Sequence, residues 1–212
     1  MLTLGISTSS NHFILALGVG DRLLFNSGDY ESDKDIGAMM LLALEKTQHS
    51  AQDIQRIIVD IGPGGTSRVR TGVSFANSLA FSIGIGVCPV SLFELTGKLL
   101  WERHHLPVVS TINSLKGNAY IGFFDQDVLH PTRFGFIDQI LPDMVASLDA
   151  FVVAGPHLEA IQAMFPDKKI VGDNDLAGMA GVLIAHSAEF ADRELKFPHL
   201  ALPITEKHFL QN

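Results

Sequence analysis

The sequence predicts an α/β protein of two similar lobes, each a mixed sheet with helices, the second eroded relative to the first. Two observations carry that prediction. Three β-leaning runs open the chain and give way to alternating helix and strand patterns, and the same order starts again at Pro107 although the letters do not repeat. The chain also has 212 residues, 47% of them hydrophobic and only 18% charged, enough to bury a substantial core and leave some apolar surface for a partner. The expected lobes are residues 1–106 and a smaller 107–212.

In the first lobe, Leu2 to Ile6 and Phe13 to Gly18 read as strands joined by the polar turn Ser7-Thr8-Ser9-Ser10-Asn11. Val19-Gly20-Asp21 signals a hairpin into a third strand, Arg22 to Asn26. After the polar stretch Asp29 to Asp35, residues Ile36, Met39, Met40, Leu42 and Ala43 fall mostly on one face of a helix reaching about Lys46. Ser50 with Asp53 forms a capping-box signature ahead of the strand Arg56 to Ile61. A glycine loop and the small, apolar helical segment Val73 to Ile85 follow, then the strand Val87 to Val90. Ser91 with Glu94 gives a second capping box for a helix running to His104.

In the second lobe, Val108 to Ile112, Ala119 to Phe124 and Arg133 to Ile137 are the expected strands. Pro142 to Leu148 reads as a helix, Phe151 to Ala154 as a strand, His157 to Phe165 as a helix and Lys169 to Val171 as a strand. Leu176 to Phe190 is the expected last helix, and the tail from Leu200 is mixed.

Composition narrows the function classes. A formal charge of −8 argues against gripping nucleic acid alone, since affinity for phosphate backbones rests on lysines and arginines; a role near RNA would be indirect. Cys88 is the sole cysteine, so neither an intrachain disulfide nor a cysteine cluster for zinc is available, which fits a reducing cytosol. The N-terminus lacks a signal-peptide pattern. The longest apolar segment, Val73 to Val90, contains Asn77, Ser78, Ser82 and Pro89, which suits a buried helix and strand rather than a membrane span. The expectation is a cytoplasmic chain with no membrane contact.

The stretch Ile61-Gly62-Pro63-Gly64-Gly65-Thr66-Ser67-Arg68-Val69-Arg70-Thr71-Gly72 is a strand–loop–helix joint. Its glycines allow close backbone approach, and Thr66 or Ser67 is placed to cap the following helix. Arg68 and Arg70 would lie near the positive end of that helix, where a bare cation is disfavoured and an acidic partner would relieve the clash. The plainer reading is a glycine turn with solvated arginines.

Other candidates divide in the same way. Hydroxyls at Ser7, Thr8, Ser9 and Ser10 could donate to a phosphate or serve only the turn. No carboxylate lies between Met1 and Asp21, which counts against phosphoryl transfer because hydroxyls cannot neutralise a magnesium ion. The nine histidines, His12 among them, show no one-turn pairing, and no Gly-x-Ser-x-Gly elbow occurs. Cys88 lies in an apolar strand as an inert thiol. Gly155, in Ala154-Gly155-Pro156-His157, either abuts an adenine or turns a strand into a helix. Ile36, Met39, Met40 and Ala43 on one helix and Val73, Ala76, Asn77, Ala80 and Phe81 on the next offer methionines and small residues suited to close helix packing against the core and a neighbour.

Together these motifs resemble the bacterial TsaB (YeaZ) family, a branch of the actin-like, sugar-kinase-like superfamily once labelled glycoproteases. Gly62-Pro63-Gly64 followed by Ser67, Val69-Arg70 and Gly72 is similar to the family's Gly-Pro-Gly-Ser-Phe-Thr-Gly-Val-Arg-x-Gly. Val87 to Leu95 continues that register, Leu4 to Leu17 is similar to the family's opening hairpin, and Gly117 with Tyr120 to the hairpin opening its second lobe. The family's opening Asp-Thr appears here as Ser7-Thr8, its Thr-Gly as Ser67-Arg68, its Asp-Ala-Arg as Asn113-Ser114-Leu115 and its Tyr-Leu-Arg as Thr205-Glu206-Lys207.

The resemblance implies two actin-like (RNase H-like) lobes and a non-catalytic scaffold role in making threonylcarbamoyladenosine on tRNA. It implies a TsaD-like catalytic paralogue as partner, a TsaE-like ATPase in the assembly, a homodimer in isolation, and tRNA met only through the complex. ATP or ADP and a metal belong to the partner subunits, and no cofactor is assigned to this chain beyond the weak candidates Ser7, Thr8, Gly64 and Gly155. The implied partner face comprises Ile36, Met39, Met40, Ala43, Arg68, Arg70, Val73, Asn77 and Phe81. The rival readings are a small ATP-binding kinase or ATPase, which would need carboxylates in the first turn and a glycine-rich adenosine site, and a peptidase-like hydrolase, which would need a metal pair or a nucleophile.

Overall fold

In chain order the first strands and helices are β1 (Leu2–Ser7), β2 (Ile14–Val19), β3 (Arg22–Asn26), α1 (Ile36–Thr47), β4 (Ile54–Asp60), α2 (Thr66–Ile83), β5 (Val87–Val90) and α3 (Leu92–His104). There follow β6 (Val108–Asn113), β7 (Ala119–Asp125), β8 (Val128–Leu129), β9 (Arg133–Gly135), α4 (Ile137–Met144), β10 (Ala150–Ala154), α5 (Leu158–Met164), β11 (Lys169–Gly172) and α6 (Met179–Ala185). The structure, a computed structural model, describes residues 1–10, 13–30 and 35–209. His12, the end of the first polar turn and the middle of the polar stretch before α1 lie outside the described residues.

The first sheet has the order β3-β2-β1-β4-β5, with β2 antiparallel to β1 and β3, and with β1, β4 and β5 parallel. All six β1 residues are buried, so this strand is covered on both faces. Leu2, Leu4 and Ile6 alternate into one core with Ile57, Val59 and the inner sides of α1 and α2. The intervening Gly5 faces Leu183 of α6, where an added Cβ would lie 2.9 Å from the leucine Cβ. Gly18 does the same for Ile184, at 2.3 Å. Two missing side chains thus let an apolar helix from late in the sequence settle against the first sheet. Accordingly, the compact units interleave in sequence: Met1–Leu92 with Ala177–Ile204 form one, and Phe93–Leu176 with the residues from Thr205 form the other.

The second unit repeats the strand order. Its sheet runs β11-β10-β6-β7-β8, with β9 also pairing β7; β6, β10 and β11 are parallel and β7 is antiparallel to β6. Val109, Ala119, Ile121, Phe151 and Val153 pack on one face with Leu141 and Ile161 of the helices. Val108, Phe124 and Val152 pack on the other with Leu100 of α3.

Several expected boundaries move. α2 starts at Thr66, ahead of its apolar segment, and its N-cap is Gly65 with no side-chain cap bond, so neither Thr66 nor Ser67 caps it. α4 occupies Ile137–Met144 instead of Pro142 to Leu148, because β9 ends at Gly135 and Pro142 sits late in a short helix. α6 is shorter than Leu176 to Phe190, and the two-residue β8 has no sequence signal. The Ser50–Asp53 capping box forms as expected.

Candidate functional site

Parallel pairing sets Ile6 opposite Val59 and so brings the ends of β1 and β4 side by side. There Ser7 Oγ donates to Asp60 Oδ2 at 2.6 Å, and the Gly62 N–H donates to Asp60 Oδ1 at 2.7 Å. Ser7 and Asp60 are fully buried. Burial pushes the Asp60 carboxyl above its ordinary range, opposed by the hydrogen bonds from Ser7, Gly62 and Ser9. Gly62 has φ +96°, a conformation that L side chains rarely adopt, and its carbonyl accepts from Leu92 N–H at 2.8 Å and Ser91 Oγ at 3.2 Å.

The rest of the first turn leans on the same loop. Thr8 Oγ1 donates to the Arg68 carbonyl at 2.7 Å, and the Gly65 N–H reaches the Ser9 carbonyl at 3.4 Å. A Cβ on Gly64 would lie 2.4 Å from that same carbonyl oxygen, and one on Gly72 would lie 2.4 Å from Thr8 Oγ1. Ser7, Thr8 and Gly64 are therefore brought together, as interior braces between turn and loop. The turn itself has no carboxylate; parallel pairing delivers one from β4, with Asp60 lying 53 residues from Ser7 along the chain. The available signal was an acidic residue closing the apolar run Ile57-Ile58-Val59 just before Gly62.

Gly155 belongs to the second unit. It has φ +113°, its N–H donates to Asn174 Oδ1 at 2.6 Å, and a Cβ there would meet the Thr111 carbonyl oxygen at 2.1 Å, so it makes the tight turn from β10 toward α5. In the same unit Arg103 Nη1 and His104 Nε2 both lie 2.7 Å from Asp173 Oδ2. Burial pushes the Asp173 carboxyl up, but His104, the Asp175 N–H and Arg103 outweigh it and hold the group below the ordinary range. Ser114 Oγ donates to Glu206 Oε1, joining two positions that depart from the family pattern. Burial and the Glu206 charge push the nearby Tyr120 hydroxyl up, with a hydrogen bond involving Ser114 opposing.

The expected partner face divides. Ile36, Met39, Met40, Ala43 and Val73 are buried in the first core. Their spacing on α1 is the apolar stripe a helix turns inward. Arg68, Arg70 and Phe81 are exposed, Phe81 by 65%. Asn77 is half-buried, its amide engaged by the backbone of Ala201, and the Phe81 ring lies 5.2 Å from that of Phe197. The outward sides of α1 and α2 form an apolar groove of about 360 Å³, with Met40, Leu41 and Phe75 among its lining.

Among the described residues no group of three or more His, Cys, Asp or Glu side chains is placed to hold a metal ion, and no helix is long and apolar enough to cross a membrane. Cys88 is buried, and burial pushes its thiol up to about 11.

The family model described as TsaD, tRNA N6-adenosine threonylcarbamoyltransferase, matches residues 31–159, more than half of the chain. The chain belongs to the TsaD/TsaB (YeaZ) family. Over 147 residues, 68% of its length, it is 29% identical to the tRNA threonylcarbamoyladenosine biosynthesis protein TsaB of Bacillus subtilis; the match spans 61% of that protein, less than two thirds. Two Pseudomonas aeruginosa structures resemble it at 96% coverage. YeaZ has a TM-score of 0.77, 18% identity and 99% of its own chain covered; a protein with similarity to the peptidase YeaZ has 0.78, 19% and 98%. At those identities the likeness shows the fold alone, that of YeaZ.

Proposed function

We propose that this TsaB/YeaZ-family chain is a non-catalytic scaffold subunit in the synthesis of threonylcarbamoyladenosine on tRNA, working in the cytoplasm. It binds a TsaD-like catalytic paralogue and stabilises that partner's active form; a TsaE-like ATPase joins the assembly, and the chain meets tRNA through the complex. In isolation the same face pairs two copies of the chain.

One observation carries the reading: α1 and α2 bury their most apolar stripes inward and still leave an apolar groove outside, with Leu41 69% exposed beside Phe75 and Leu79. A contiguous exposed apolar patch of this kind marks a surface used for contact with another molecule. The two helices offer long side chains around small ones, Gly37, Ser78 and Ser82, the relief into which a helical partner packs. The interface therefore uses the outward residues of the helices first singled out in the sequence, with Phe81, Arg68 and Arg70 at its margins.

Depleting this chain in its host and measuring modified nucleosides in bulk tRNA by mass spectrometry tests the role. Threonylcarbamoyladenosine should fall, and the intact chain should restore it. An unchanged level would contradict the proposal.

A further inference from the structure

In open α/β sheets a ligand anion is met outside the carboxyl ends of parallel strands, where hydroxyls and backbone N–H groups act as donors. In this chain the donors at that place are already taken. Ser7 Oγ and the Gly62 N–H each meet one oxygen of the same carboxylate, at 2.6 and 2.7 Å, distances typical of hydrogen bonds to a charged acceptor. We infer that Asp60 is an internal anion: it fills the strand-end anion pocket of the first unit, so that the pocket takes no phosphate and its donors fix the glycine loop that starts α2. The inference stands independently of the partner reading.

Three further observations agree. The pocket is closed, since Ser7, Thr8, Ser9 and Asp60 are all buried and the turn touches the loop so closely that Gly64 and Gly72 have no room for a Cβ. Ser9, only 2% exposed, also acts on Asp60 through its side chain and its backbone N–H, so the turn directs its donors at this one group. The carboxylate also carries the wrong charge for a phosphate neighbour: a second anion at Ser7 would face it across a few ångströms of protein, where repulsion is poorly screened.

An internal anion is replaceable by an external one of the same shape. The test is Asp60→Ala in the full chain, with formate titrated against chloride at matched ionic strength and the thermal midpoint as readout. The variant midpoint should fall by roughly 5 °C or more, and formate, not chloride, should recover at least half of the loss. The wild type should respond identically to the two salts and show no saturable shift with inorganic phosphate. A variant as stable as the wild type, or one that folds but ignores formate, overturns the inference, as does saturable phosphate binding by the wild type. A variant that folds only in formate supports it. If Asp60→Ala folds in neither salt, Ser7→Ala decides: it should lower the midpoint yet gain nothing from formate, because the pocket is still filled, and an unchanged midpoint overturns the inference.

Discussion

Asn77 grips Ala201 with both ends of its amide: Nδ2 donates to the Ala201 carbonyl at 3.0 Å, and the Ala201 N–H donates to Oδ1 at 3.1 Å. This pair fastens the segment after α6 along α2. The same segment bridges Leu195 to Val87 at the β5 edge, receives a contact at Glu194 from the Gly86 N–H at 3.3 Å, and ends with the Ile204 N–H donating to Ile61 at 2.8 Å. α2 is thus held from its core side and by a strap along its flank.

Asn77→Ala should therefore lower stability by about 1–3 kcal/mol, since it leaves a partly buried backbone N–H and carbonyl without partners. Urea unfolding gives the magnitude. Hydrogen exchange should show Ala201 losing protection before the sheet does, and equal protection in both chains would remove the strap from the account.

The two glycines under α6 make a second prediction. In Gly18→Ala the new methyl meets Ile184 and the Arg22 carbonyl oxygen at 2.7 Å, and backbone cannot give way as a side chain can. A loss of about 1–3 kcal/mol in urea unfolding is expected. Gly20→Ala, with open space around its Cβ although φ is +64°, is the control for strain without overpacking.

Stability should depend on pH through Asp173. Its carboxyl is held below its ordinary value of 3.8, so its contribution is present above that value and is lost as pH falls through the depressed one. Thermal midpoints against pH should show Asp173→Asn removing this acid-side loss. An unchanged acid limb in the variant would refute the assignment.

Leu41→Asp separates the outward face from the core. Leu41 is 69% exposed, so the thermal midpoint should stay within about 1 °C of the wild type, as for ordinary surface changes. Affinity for a TsaD-like partner should fall by about 2 kcal/mol or more if Leu41 is an interface anchor. Ala43→Asp, at a position 1% exposed, should instead unfold the lobe.

The repeated strand order was legible in the sequence because alternation and turn residues act over a few neighbours, and both sheets follow it. The site was legible only where its parts are local: Gly62 needs its positive φ whatever lies nearby. What escaped was set by distance along the chain. Asp60 meets Ser7 through parallel strand pairing, Leu183 and Ile184 return to the first sheet from beyond the second, and Ser114 finds Glu206 across 92 residues. Apolar periodicity on α1 marks a stripe without saying what covers it: the first core takes Ile36, Met39 and Ala43, and Met40 also lines the outer groove.

The central claim is that the outward face of α1 and α2 binds the TsaD-like paralogue. Isothermal titration of the purified paralogue from the same genome into this chain, wild type and Leu41→Asp side by side, tests it most directly. The account predicts one-to-one association at micromolar or tighter affinity for the wild type and at least about thirtyfold weaker binding for the variant. No association at micromolar concentrations, or equal affinity for the two chains, would contradict it.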